Sequence, residues 1–79
     1  MPKLKVLSGS DVIKILEGFN FVIISQKGSH VKLRRTVDQA RQVLTIPNHK
    51  ELDRGTLKAI FSQAAKYISE TDLAPHFYV

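Results

Sequence analysis

The chain has 79 residues, with 12 Lys and Arg against 7 Asp and Glu, a formal net charge of +5, and no Cys or Trp. At this length it closes one small core and buries little more than ~60% of its unfolded surface, so residues 1–79 read as one domain, without room for a cofactor cradle plus a substrate domain. The absence of Cys excludes disulfide staples and thiolate zinc sites, so stability has to come from packing, as suits a reducing compartment.

The opening MPKLKVLSGS breaks its apolar run with Lys3 and Lys5 and meets the polar cluster Ser8-Gly9-Ser10, so it lacks a signal-peptide core. No apolar stretch approaches the ~18 residues of a membrane span. A cytoplasmic protein without membrane contact is the expectation. Ser8 to Gly18 predicts a helix with Val12, Ile13, Ile15 and Leu16 on one face, Ser8 and Asp11 as a capping box and Gly18 as a left-handed stop. Phe19 to Gln26, aromatic and β-branched, predicts a strand, and Lys27-Gly28 a turn. Ser29 to Arg35 alternates, with His30, Lys32 and Arg34 on one side and Ser29, Val31 and Leu33 on the other. Thr36 to Gln39 reads as a turn and Gln42 to Ile46 as a third strand ended by Pro47; the short connections predict an antiparallel meander. Asp53 caps a second helix reaching about Ile68, with Leu57, Ile60, Phe61, Ala64 and Ile68 at helical spacing. Ser69 to Leu73 adds at most one turn, and Pro75 to Val79 is apolar without pattern. The fold class is therefore α+β, in the order α-β-β-β-α, with two helices on one face of a three-stranded antiparallel sheet and the other face open. Double-stranded-RNA-binding domains share this order, which by itself does not assign a function.

The charge is unevenly placed. Residues 1–41 hold eight basic and three acidic side chains, whereas residues 42–79 hold four of each, and Lys27 to Arg41 alone sums to +4. An anionic partner is expected to meet this segment, although a solvated basic face has the same pattern. Within it, Gly28-Ser29-His30 joins a glycine that lets backbone N–H groups approach a ligand, a hydroxyl, and an imidazole beside Lys32 and Arg34. Imidazole ordinarily titrates near neutrality, as proton transfer requires, and cations beside it suit a phosphodiester. A strand histidine is also often only structural.

His49, in Pro47-Asn48-His49-Lys50, comes near His30 if the end of the third strand lies beside the start of the second; otherwise it belongs to a polar turn. His76 falls in the tail. Three histidines on separate elements lack metal-ligand spacing, so no metal is expected. At the start of the second helix, Gly55 either lets a phosphate approach or packs closely on a strand while Asp53 caps. Phe61, Tyr67, Phe77 and Tyr78 read as packing, leaving Phe19 and Phe21 as the strand aromatics able to stack bases. Neither a phosphate-cradling GxxxxGK[ST] loop nor a nucleophile elbow is present.

Taken together, GFNFVIISQKGSHVKLRR and TIPNHKELDRGTLKAIFSQA resemble the HicA (YcfA-like) family of bacterial and archaeal toxins. The likeness runs from about Leu7 to Leu73. Gly18-Phe19, Gly28-Ser29-His30, Ile46-Pro47-Asn48-His49 and Arg54-Gly55-Thr56-Leu57 before Ile60 carry it, in that order. The resemblance implies a double-stranded-RNA-binding-like fold, ribosome-independent cleavage of mRNA that blocks translation, and the toxin role in a type II toxin–antitoxin system. It also implies a HicB-type antitoxin that covers the active site, and it carries the family's catalytic histidine onto His30. The expectation is a metal-independent, cofactor-free endoribonuclease, monomeric without its antitoxin. His30 would be its general acid or base, and Lys27, Gly28, Ser29, Lys32, Arg34 and His49 would contact RNA. The alternative is a non-catalytic RNA-binding module of the same fold.

Overall fold

A computed structural model describes residues 2–79. Helix α1 (Gly9–Gly18) leads into strands β1 (Val22–Lys27), β2 (His30–Val37) and β3 (Ala40–Pro47), followed by α2 (Arg54–Ala64) and α3 (Glu70–Phe77). The strands form an antiparallel sheet in the order β1-β2-β3, so the α+β meander expected from the pattern is the observed fold. No helix among the described residues is long and apolar enough to cross a membrane.

Local chemistry explains most element boundaries. Ser8 Oγ accepts the Asp11 N–H at 2.9 Å and Asp11 Oδ2 accepts the Ser8 N–H at 3.0 Å, closing the capping box at α1. The helix ends through Asn20, at φ 75°, where its short polar side chain tolerates the left-handed region. Gly18 is not the left-handed stop; it remains within the helix at a non-positive φ. At the other cap, Asp53 Oδ2 accepts the Thr56 N–H at 3.4 Å and starts α2.

Several expected boundaries shift: α2 ends at Ala64 rather than near Ile68, and the first turn is Gly28-Ser29 rather than Lys27-Gly28. β1 begins at Val22, because Phe19 caps α1 and Phe21 turns into the core. The second hairpin tightens to Asp38-Gln39, both at positive φ (50° and 67°), so β2 continues to Val37 and β3 begins at Ala40. Most consequential, Ser69 caps a complete third helix rather than one turn, and α3 contains Pro75. Its Leu73 and Phe77 are fully buried, and Phe61 meets Phe77 and Tyr78 edge-on at 5.3 Å in each case. The tail thus supplies core. An antiparallel bridge between Leu4 and Tyr78 joins it to the N-terminal segment: the Lys5 N–H donates to Phe77 O (2.8 Å), the Val79 N–H to Lys3 O (2.7 Å) and Lys5 Nζ to Pro75 O (3.0 Å).

The helices cover one sheet face. Val12 and Leu16 of α1, Leu57, Ile60 and Ala64 of α2, and Leu73 and Phe77 of α3 pack with Phe21, Val31, Leu33, Leu44 and Ile46. Arg35 closes the end of this layer. Its guanidinium donates to Phe19 O (3.0 Å), Tyr67 O (2.8 Å) and Gln42 Oε1 (2.8 Å), with Cζ 4.9 Å from the Phe21 ring centroid. Phe19 O lies at the C-cap of α1, so the cation meets the negative end of that helix dipole, while Tyr67 O belongs to the turn after α2. β1 forms a sheet edge with all six residues exposed, and one residue too many between Ile23 and Ser25 makes a bulge.

Candidate functional site

The open sheet face is built by pleat and register. Val31 and Leu33 are buried under the helices, so alternation turns His30, Lys32 and Arg34 to the uncovered side. The two-residue turn Gly28-Ser29, with Gly28 at φ 59°, sets Lys27 directly opposite His30. On β3, Pro47 opposes His30, Thr45 opposes Lys32, Val43 opposes Arg34 and Arg41 opposes Thr36. Lys27, Lys32, Arg34 and Arg41 therefore share a face with His30, and the three strands contain no Asp or Glu. Such a surface attracts an anion along its length and offers it an exposed imidazole at one end.

Lys32 and Arg34 share the face of His30 as the alternation predicts, Lys27 joins them from β1 rather than from the turn, and the arrangement alters the charge count in two ways. Arg35, one of the five cations between Lys27 and Arg41, faces the helices and holds them. Arg41 is on the open side, a position hidden while Thr36 to Gln39 is read as one turn; the Asp38-Gln39 hairpin fixes it opposite Thr36.

The site end of the sheet is shaped by a contact between distant parts of the chain. The Asn48 N–H donates to Ser29 O at 2.6 Å, and the His49 N–H donates to Pro47 O at 2.9 Å. The Gly9 N–H donates to His49 O at 2.8 Å, and the Leu52 N–H to Leu7 O at 2.9 Å. Gly9 is buried here. A Cβ on it would stand 2.6 Å from Asn48 Cα and 3.0 Å from His49 N, and closer still to Pro47 O. Only glycine lets the start of α1 rest on the backbone that carries His49. The turn bearing Gly28 and Ser29, the start of β2 with His30 and the loop with His49 thus meet at one end of the sheet, and both imidazoles belong to exposed residues.

Other candidates fall away from this place. His76, near the end of α3, stands edge-on to Phe19 at 5.4 Å, beyond the far end of α1, a helix about 15 Å long. Phe21 is buried and Phe19 half-buried at the helix cap, so neither offers a stacking platform on the open face. Gly55 is exposed, and a Cβ there would meet only the Asp53 carboxylate at 3.4 Å, so it does not pack on a strand. Asp11 and Asp53 are committed to their caps. Hydrogen bonds from the Ser8 N–H and hydroxyl hold Asp11 below the usual carboxylate value, and those from the Thr56 side chain and N–H do the same for Asp53. Among the described residues, no three His, Asp or Glu gather as a metal site would need.

A family model described as HicA toxin of bacterial toxin-antitoxin matches residues 9–65. That span begins at the glycine beneath the His49 loop and includes all three strands and α2. No curated protein and no solved structure matches the chain significantly. The family match covers well over half of the chain and includes both ends of the Gly9 to His49 contact; the chain belongs to the HicA toxin family of bacterial toxin–antitoxin systems.

Proposed function

We propose that this toxin is a metal-independent endoribonuclease that cleaves mRNA and so blocks translation, with His30 transferring a proton at the scissile phosphodiester. The observation that carries the reading is an exposed imidazole on a sheet face with four cations and no carboxylate. Lys27 and Lys32 flank His30 and bind the reacting phosphate, where charge-assisted contacts stabilise the added negative charge of the transition state. Gly28 and Ser29 border it at the turn, and Arg34 and Arg41 hold the neighbouring backbone. Without a stacking aromatic, the grip on RNA is mainly electrostatic. Four phosphate contacts on a single strand give a slope of about −3 in log affinity against log salt.

The family implies an antitoxin partner. We take it to be a HicB-type protein that covers the same basic face with acidic groups and excludes RNA by occupying its contacts. The test incubates purified protein with RNA in EDTA, comparing wild type with His30→Ala. Cleavage by the wild type alone, leaving 2′,3′-cyclic phosphate and 5′-hydroxyl ends, is the expected result. Uncleaved RNA, or equal cleavage by the variant, overturns the mechanism. Salt-dependent binding without cleavage moves the assignment to a non-catalytic RNA-binding module.

A further inference from the structure

Cleavage through the ribose hydroxyl is a transesterification with two proton transfers. The 2′-oxygen loses its proton and bonds to phosphorus; the bond from phosphorus to the 5′-oxygen breaks, and that oxygen takes up a proton. The proton count closes without an added water. One imidazole handles one transfer at a time, so fast turnover calls for a second proton carrier at the same phosphate.

We infer that His49 is this second carrier, a catalytic residue acting with His30; the inference rests on the endoribonuclease reading above. Imidazole is the side chain ordinarily suited to the task at neutral pH, and the chain has three. His76 is excluded by its contact with Phe19 beyond the opposite end of α1. Two adjacent contacts bring His49 to the site end, and its own backbone bonds hold it there. Pro47, two residues before it, is the cross-strand partner of His30. Asn48, immediately before it, is hydrogen-bonded to Ser29, immediately before His30. Its own N–H and C=O are bound to Pro47 and Gly9, which fixes its backbone while leaving the residue exposed.

This is more order than a simple RNA contact requires, because a flexible lysine binds phosphate equally well. The loop is held between a hairpin tip and a helix start, as positioning a reacting group requires. Groups that set the charge around the pair are Lys27 and Lys32 beside His30, Lys50 and Glu51 after His49, Asp11 in the first turn of α1, and Asp53 with Arg54 at the start of α2.

The experiment measures kcat and KM against pH on one short RNA in EDTA for wild type, His30→Ala, His49→Ala and His49→Gln, with melting curves as a folding check. Gln keeps hydrogen-bonding capacity and cannot relay a proton at neutral pH. The inference expects a bell-shaped wild-type profile. Both His49 variants should lose one limb of the bell and about 10²–10⁴-fold in kcat, with little change in KM. A raised KM with kcat and both limbs intact would make His49 an RNA contact only and overturn the inference, as would full activity in His49→Gln. Inert wild type overturns the nuclease reading and the inference together, and undiminished His30→Ala overturns the His30 mechanism and the pairing of His49 with it.

Discussion

Adding one methyl group at Gly9 tests whether the contact between α1 and the His49 loop is as tight as the geometry requires. A Cβ there meets Asn48 Cα at 2.6 Å and His49 N at 3.0 Å, with Pro47 O nearer still, whereas ordinary contacts lie at 3.4–4 Å. These are backbone atoms, so no side chain can swing aside; the helix start and the loop must part by about 1 Å. Overpacking of this kind costs about 1–3 kcal/mol. Stretching the bond from Gly9 N to His49 O adds about 1 kcal/mol, and the better helix propensity of Ala returns about 0.5–1 kcal/mol. Gly9→Ala should therefore lose about 2 kcal/mol, which in a domain this size lowers Tm by about 8–16 °C. Gly18→Ala is the internal control: the same substitution, also within α1, meets nothing within 4 Å and should be neutral or stabilising by up to about 1 kcal/mol. Calorimetry gives both values, and amide shifts in Gly9→Ala should be largest at Ser29, Asn48 and His49. A Tm for Gly9→Ala at or above that of the wild type would refute the reasoning.

Adjacent arginines should part company. Arg35→Met, losing two hydrogen bonds to Phe19 O and Tyr67 O and one to Gln42 of β3, should destabilise by about 2–4 kcal/mol in urea titrations, while Arg34→Ala should stay within about 1 kcal/mol of wild type and weaken RNA binding instead. Phe77→Ala empties a fully buried site outside the family match and should cost about 3–5 kcal/mol, a large share of the roughly 4–12 kcal/mol available to a domain of this length; an unchanged Tm would remove α3 from the cooperative core. Asp11 and Asp53 are lowered from their ordinary value of 3.8 by cap hydrogen bonds. Their contribution is thus complete above that value and fades as pH falls through the lower folded-state values. Acid titration by circular dichroism should show this loss, and Ser8→Ala should flatten it.

The parts of the fold legible in the sequence are those governed by neighbouring residues. Ser8 with Asp11, and Asp53 with Thr56, announce helix starts because capping spans three residues. The alternation from His30 to Arg34 gives the face of each side chain because β2 is half-buried. The Asp38-Gln39 turn is obscured because Gln39, unlike Asp38, does not favour positive φ; pairing on both sides imposes it. In α3, Pro75 reads as a stop, yet Leu73 and Phe77, one turn apart, gain enough burial to outweigh the missing hydrogen bond. At the candidate site, His30, Lys32 and Arg34 follow from alternation, but the seating of His49 on Gly9 joins residues 40 positions apart, and no local pattern encodes it.

The bulge in β1 bears on how the protein behaves in concentrated solution. Val22, Ile23 and Ile24 are 57%, 49% and 40% exposed along an edge strand, the combination that recruits further copies edge to edge. The extra residue between Ile23 and Ser25 interrupts the regular spacing of backbone donors and acceptors, and Lys27 adds a charge at the end of the edge, both of which oppose pairing with a straight strand. Removing Ile24 would straighten the edge and favour sheet growth into insoluble aggregates. The irregularity acts as a chain terminator for the sheet.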